Sequence, residues 1–184
     1  MRVITLAALC DKYSMAMPPV PNLDADKGER YVNFDQFKDL YLAAVGSLRQ
    51  PEDMERVVRE VVQDAANDGV RWLELHFYAG FEAYRRTLGP PEIVWTIVRR
   101  AAVKAGQEFG VKVGFIAAAE RYLDPADAVE TAQLAVRIMQ HSRDKDGAEL
   151  APIVGFGLQL GTIANNSSAF FRISAVTASP MCVQ

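Results

Sequence analysis

Residues 51–77, PEDMERVVREVVQDAANDGVRWLELHF, encode a helix, a stop and a strand in immediate succession, and that order restricts what the rest of the chain can be. Met54, Val57, Val58, Val61 and Ala65 recur at helical spacing, while Glu55, Arg56, Arg59, Glu60, Gln63 and Asp64 form the expected wet face. Pro51 suits the first helical turn, and Glu52 and Asp53 set negative charge against the positive end of the helix dipole. Gly69 supplies the left-handed residue that usually ends a helix. From Val70 the period falls to two, so Leu73, Leu75 and Phe77 point one way and Trp72, Glu74 and His76 the other.

The same alternation continues down the chain. A loop, YAGFEAYRRTLGPP, leads to a predicted helix from about Glu92 to Glu108, with Ile93, Ile97, Ala101, Ala105 and Phe109 as its buried stripe and Gly110 as its stop. VKVGFIAAA is apolar on both faces, as suits a parallel strand covered by helices. Asp124 offers an N-cap before Pro125, and the helix that follows is expected to turn Val129, Ala132, Ala135, Val136 and Met139 inward. HSRDKDG is charged loop, and IVGFGL is the next strand.

Upstream, Ile4, Leu6, Leu9 and Tyr13 predict a short helix closed by MPPVP, and residues 18–33 read as a polar, mobile connection. Phe34, Phe37, Leu40 and Tyr41 begin a second helix. The apolar start MRVITLAALC is short for a signal sequence, and no run approaches the ~18 apolar residues of a membrane span. With 184 residues, half of them hydrophobic, the chain can build one ordinary core. Its net charge of −3 with scattered basic residues argues against nucleic acid as a partner. Cys10 and Cys182 support neither a disulfide framework nor a cysteine zinc site, and a cytoplasmic setting is the expectation.

Helices and strands joined by such connections make right-handed βαβ units in a parallel sheet, an α/β fold. Periodicity leaves a barrel segment and a doubly wound sheet equally open. The motifs separate them by resemblance. DGVRWLELHF resembles the segment leading into the second barrel strand of adenosine deaminases, the Phe37 and Tyr41 region of NFDQFKDLYLAAVGSLRQPED resembles a helix of that family, and VGFIAAAERYLDPADAVETAQLA with IVGFGL is similar to its next two strands and the helix between. Residues 30–158 keep the register, with Lys38 where the family usually has an apolar residue and His76 in place of a usual Arg.

The resemblance implies a partial TIM (β/α)₈ barrel over residues 1–158, its first strand and C-terminal half missing, since a full barrel needs about 250 residues. It implies hydrolytic deamination of adenosine or a related purine nucleoside by zinc-activated water, and it places Phe37 and Tyr41 in an apolar gate over the purine. Spacing alone favours ordinary helix core for those two residues. In the family a glycine amide after the fourth strand contacts the purine. Here Gly161 lies one place late, Leu160 stands at the glycine position and Thr162 at an acidic one. Residues 159–184 carry Arg172 as their one charge, and are expected to be an atypical tail contributing little to the fold.

The chemistry has few residues to rest on. The family's metal ligands, an HxH pair, a third His and an Asp, and its Glu proton donor match no position of this chain, so neither catalytic residues nor a zinc site are assigned from them. His76 and His141 are the chain's two histidines. Glu74 and His76 share a strand face and could start a metal site, or could be a hydrogen-bonded pair beside Trp72. His141 reads as a solvated helix-end residue, and Arg121 stands just past a strand end, on a barrel's active side, where an ion pair would also explain it. VGFGLQLG lacks the GxGxxG spacing of a dinucleotide loop, and the NxS sequences at Asn165 and Asn166 mean little without secretion. Two functions remain open: an adenosine deaminase-like protein that is inactive as it stands, or a non-catalytic barrel remnant acting by association with a partner chain. Free barrel edges would leave Val113, Phe115, Ile153 and Phe156 partly uncovered and favour self-association.

Overall fold

The computed structural model describes residues 1–20 and 34–159. In chain order its elements are α1 (Val3–Lys12), α2 (Phe34–Gly46), α3 (Pro51–Asn67), β1 (Trp72–Phe77), α4 (Glu82–Thr87), α5 (Pro91–Phe109), β2 (Lys112–Glu120), α6 (Pro125–Met139) and β3 (Ile153–Gln159). The strands form a parallel sheet in the order β1-β2-β3, with Leu75 opposite Phe115 and Ala118 opposite Gly157. The fold is α/β, and the sheet is not closed. A register shift between Phe115 and Ile116 passes over Val154.

One face of the sheet carries the core. Val113, Phe115, Ala117 and Ile153 are buried beneath the helices together with Val94, Trp95, Val98 and Ala102. The expectation that Val113, Phe115 and Ile153 would be partly uncovered is therefore wrong, and Phe156 is half-buried. The uncovered surface is on the opposite face, where Trp72 and Val154 are 49% and 43% exposed. A Cβ on Gly114 between them would lie 3.0 Å from a Val154 methyl and 3.3 Å from the Trp72 ring, so a side chain there would press on both.

Helix faces also differ from the predicted ones where a neighbour was not foreseen. Glu60 is buried, not wet, because α1 packs there: Thr5 Oγ1 donates to Glu60 Oε2 at 2.6 Å and Arg56 holds Oε1 at 2.9 Å. Ile4 is correspondingly turned outward. Ile93, Val129 and Val136 are exposed, since α5 and α6 meet the sheet through their alanines, Ala101, Ala102 and Ala105 on one and Ala128, Ala132 and Ala135 on the other. Alanine faces bring helix and strand backbones close with little side-chain entropy lost. The stretch read as a plain loop after β1 contains α4, whose Tyr84 is buried with Phe81 and Leu88 on either side of the helix.

Two polar clamps hold the layers. Asp53 accepts hydrogen bonds from the backbone N–H of Arg49 and of Gln50 and from Lys12 Nζ at 2.7 Å, joining α1 to the start of α3. Arg99, 3% exposed, donates to the carbonyls of Ala151, Ile138 and His141 at 2.6, 2.9 and 2.7 Å. Its guanidinium thus closes the end of α6 and the approach to β3 from within α5.

Candidate functional site

The C-terminal ends of the three strands gather Phe77, Glu120 and Gln159 with the segments that follow β1 and β2. In parallel α/β sheets this is the end at which ligands collect. An aromatic file leads to it: Phe37 and Tyr41 of α2 stack with centroids 6.3 Å apart and planes at 18°, and Tyr41 meets Phe81 edge-on at 5.9 Å. Phe37 is 37% exposed and Tyr41 half-buried. Beneath Tyr41 lies a cavity of about 270 Å³ lined by Val45, Met54, Leu75, Phe77 and Tyr84, with His76 at its wall. The helix thus presents one aromatic surface outward and borders an open apolar space through Tyr41.

The polar half of the mouth is Glu120. It ends β2 on the face shared with Gly114, Ile116 and Ala118, opposite Gln159 in the register. Gln159 Nε2 donates to Glu120 Oε1 at 2.8 Å. Burial pushes the Glu120 carboxyl up, the Gln159 hydrogen bond offsetting part of the effect. Burial likewise pushes the Tyr41 hydroxyl up to about 12, with Glu120 and Tyr122 adding to it and the neighbouring Gln159 side chain opposing it. Tyr78 is also pushed up to about 12, chiefly by burial.

Glu120 and Gln159 were not singled out from sequence. The signal in the sequence is an acidic residue closing an otherwise apolar strand, FIAAAE, just before Arg121. The Arg121 side chain is exposed, and its backbone N–H donates to the Gln159 carbonyl at 3.0 Å. Glu74 and His76 lie on one face as read, but Glu74 Oε1 accepts the Trp72 indole N–H at 2.8 Å. His141 is exposed at the end of α6 and its carbonyl serves Arg99. Lys38 pairs with Asp35 at 3.4 Å on the surface. Gly161 and the tail to residue 184 lie outside the described residues.

The adenosine deaminase family model matches residues 1–171. The chain belongs to the adenosine deaminase family. The match begins ahead of residue 30 and runs past residue 158, so it is wider than the motifs that first pointed to it. A protein of Streptomyces virginiae provisionally named adenosine/adenine deaminase is 34% identical over 164 residues, covering 86% of this chain and 44% of that protein. The chain spans about half the length of the curated relatives it matches, 44% and 45%. Among solved structures, adenine deaminase from Arthrobacter aurescens matches 96% of this chain and 50% of its own at 23% identity, with a TM-score of 0.73. An amidohydrolase from Burkholderia ambifaria with bound zinc matches 95% of this chain and 45% of its own at 21% identity, TM-score 0.64. These likenesses identify the three-stranded sheet as part of a TIM-barrel-like deaminase fold.

Zinc occurs in that fold family, and the donor set here can be tested against it. A catalytic zinc typically takes three protein ligands and keeps one open position. Among the described residues no three His, Cys, Asp or Glu side chains come together in a way that could hold a metal. Glu74 and His76 amount to two donors, one already engaged by Trp72, and they do not fit a zinc centre. Among the described residues no helix is long and apolar enough to cross a membrane.

Proposed function

We propose that this chain supplies one wall of the purine pocket of an adenosine/adenine-type deaminase, with Phe37 and Tyr41 as the surface against which the base lies. Hydrolytic removal of the purine amino group is the reaction read for the whole protein. The 184 residues taken alone are read as inactive, because the described donors do not fit a metal centre. The observation that carries the reading is the stacked Phe37–Tyr41 pair at the strand mouth of a deaminase-family sheet. Aromatic faces accept bases without hydrogen-bond readout, each stack being worth about 1–3 kcal/mol by alanine substitution. In the same reading, residues 1–158 are the barrel part and Gly161 is a further purine contact in a distinct tail.

The test is a titration of the purified chain with adenosine, followed by calorimetry, for wild type, Phe37→Ala, Tyr41→Ala and the control Leu42→Ala, a residue of the same helix that is 39% exposed. Weakened binding in the first two variants and not in the control is expected. Equal binding in all four would remove the aromatic wall from the reading.

A second reading, a barrel remnant that acts by association, is favoured by a different observation: the exposed apolar side chains of Trp72 and Val154 flanking Gly114 on the uncovered sheet face. It predicts self-association that falls when that surface is made charged.

A further inference from the structure

The aromatic wall explains the apolar part of the mouth and leaves one buried polar atom without a purpose. Glu120 is 2% exposed, and its Oε2 is closed to solvent with no hydrogen-bond donor among the described residues. The other buried carboxylate oxygen in that condition, Asp144 Oδ2, has Arg100 Nη1 at 3.5 Å. Glu120 has no such cation among the described residues. A buried acceptor left unpaired is costly, and a fold that keeps one usually has a partner for it to meet.

Three features narrow that partner. Glu120 is the last residue of β2, at the end of the sheet where barrel enzymes place their working groups. Its first oxygen is fixed by Gln159, so the second is held in a defined place rather than swinging to find a donor. Tyr41, Tyr78 and Tyr122 are near enough to feel its charge, so aromatic side chains stand beside it. The occupant must therefore carry its own donor hydrogen, and one that shares the mouth with Tyr41 must be flat. A purine meets both conditions, its rings lying flat and its exocyclic amino group or a ring N–H serving as donor.

We propose that Glu120 is a ligand-contacting residue whose free carboxyl oxygen takes a hydrogen bond from an N–H of a purine lying against Tyr41. This rests on the purine reading above and adds a polar contact that fixes how the base is oriented. Gln159 is the positioning residue of the pair.

The experiment titrates the full chain with adenine and with adenosine, for wild type, Glu120→Gln and Glu120→Met, and records thermal melts of each protein at neutral pH. Glu120→Gln keeps an acceptor for Gln159 and sets an amide N–H₂ where the free oxygen stood, so two donors would face each other. Both variants are expected to bind roughly ten-fold more weakly or worse, while melting no lower than wild type. If wild type binds a purine and the variants bind it equally, the Glu120 contact is overturned and the aromatic wall stands. Weakened binding that tracks a lowered melting temperature in Glu120→Gln also overturns it, since the role is then structural. If wild type binds neither purine, both readings fall. Should Glu120→Met not fold, Glu120→Gln decides.

Discussion

Glu120 and Gln159 face each other across the last rung of the β2–β3 ladder, carboxyl to amide at 2.8 Å, and so join the ends of two strands that are 39 residues apart in sequence. The contact satisfies one carboxyl oxygen and leaves the buried state of the other to decide how the fold answers pH. Burial raises the Glu120 pKa, so the native state holds that proton more tightly than the unfolded chain. Stability from this group is then lost as pH rises from the unfolded value, ~4.3, through the higher folded one, and regained on acidification. Relative to wild type, Glu120→Gln should gain stability at pH 7–8, with the gain shrinking towards pH 4. Denaturant melts across that range test it, and a pH-independent difference would count against it.

Asp53 has the opposite sign. Burial would push its carboxyl up, but hydrogen bonds from Lys12, Tyr13 and the Arg49 and Gln50 amides outweigh burial and hold it below the usual range. Its contribution is present above the unfolded value, ~3.9, and is lost as pH falls through the lower folded one. Asp53→Ala should cost about 2 kcal/mol at neutral pH, from loss of the cap and of the tie to α1. A cost that persists unchanged below pH 3 would contradict this assignment.

At Gly106 backbone approach should outweigh helix propensity. An added Cβ would fall 2.5 Å from the Val111 carbonyl oxygen, where α5 folds back into β2. Alanine favours a helix interior by about 1 kcal/mol over glycine, but the clash is with backbone and forces the turn to move. Gly106→Ala should therefore destabilise, by about 1–3 kcal/mol in a denaturant melt. A more stable variant would show that the turn yields freely.

Zinc should find no centre in the isolated chain. After loading and removal of unbound metal, less than stoichiometric zinc and no fall in adenosine absorbance are expected, unaltered by His76→Ala. Stoichiometric zinc with turnover that this substitution abolishes would establish a site built on Glu74 and His76.

The uncovered sheet face should govern solution behaviour. Trp72→Lys and Val154→Lys, each replacing a side chain that is 49% or 43% exposed, should reduce self-association seen by light scattering without lowering the melting temperature. Unchanged scattering would place any association elsewhere.

Element order, the Gly69 and Gly110 stops and the Asp124 cap were legible because they depend on local periods and backbone chemistry. Gly110 has φ 70°, and Asp124 accepts the Ala126 N–H at 2.8 Å. What escaped was set by neighbours distant in sequence. Nothing near Glu60 announces that Thr5 will cover it, and the outward turn of Ile93, Val129 and Val136 follows from alanine faces meeting the sheet. In the mouth, Phe37 and Tyr41 stood out through their family likeness, whereas Glu120 becomes visible as a site residue only once β3 brings Gln159 beside it.

Arg99 has a consequence for the order in which the molecule assembles. Its three carbonyl partners lie between residues 138 and 151, so while β1, α5 and β2 are in place and the later segment is not, its guanidinium has only water to bond. Burial disfavours its charged form, and the segment that covers the guanidinium is the same one that brings the carbonyls offsetting that penalty. Covering the guanidinium and giving its protons acceptors are thereby one event, which ties the packing of α5 to the docking of the segment between α6 and β3.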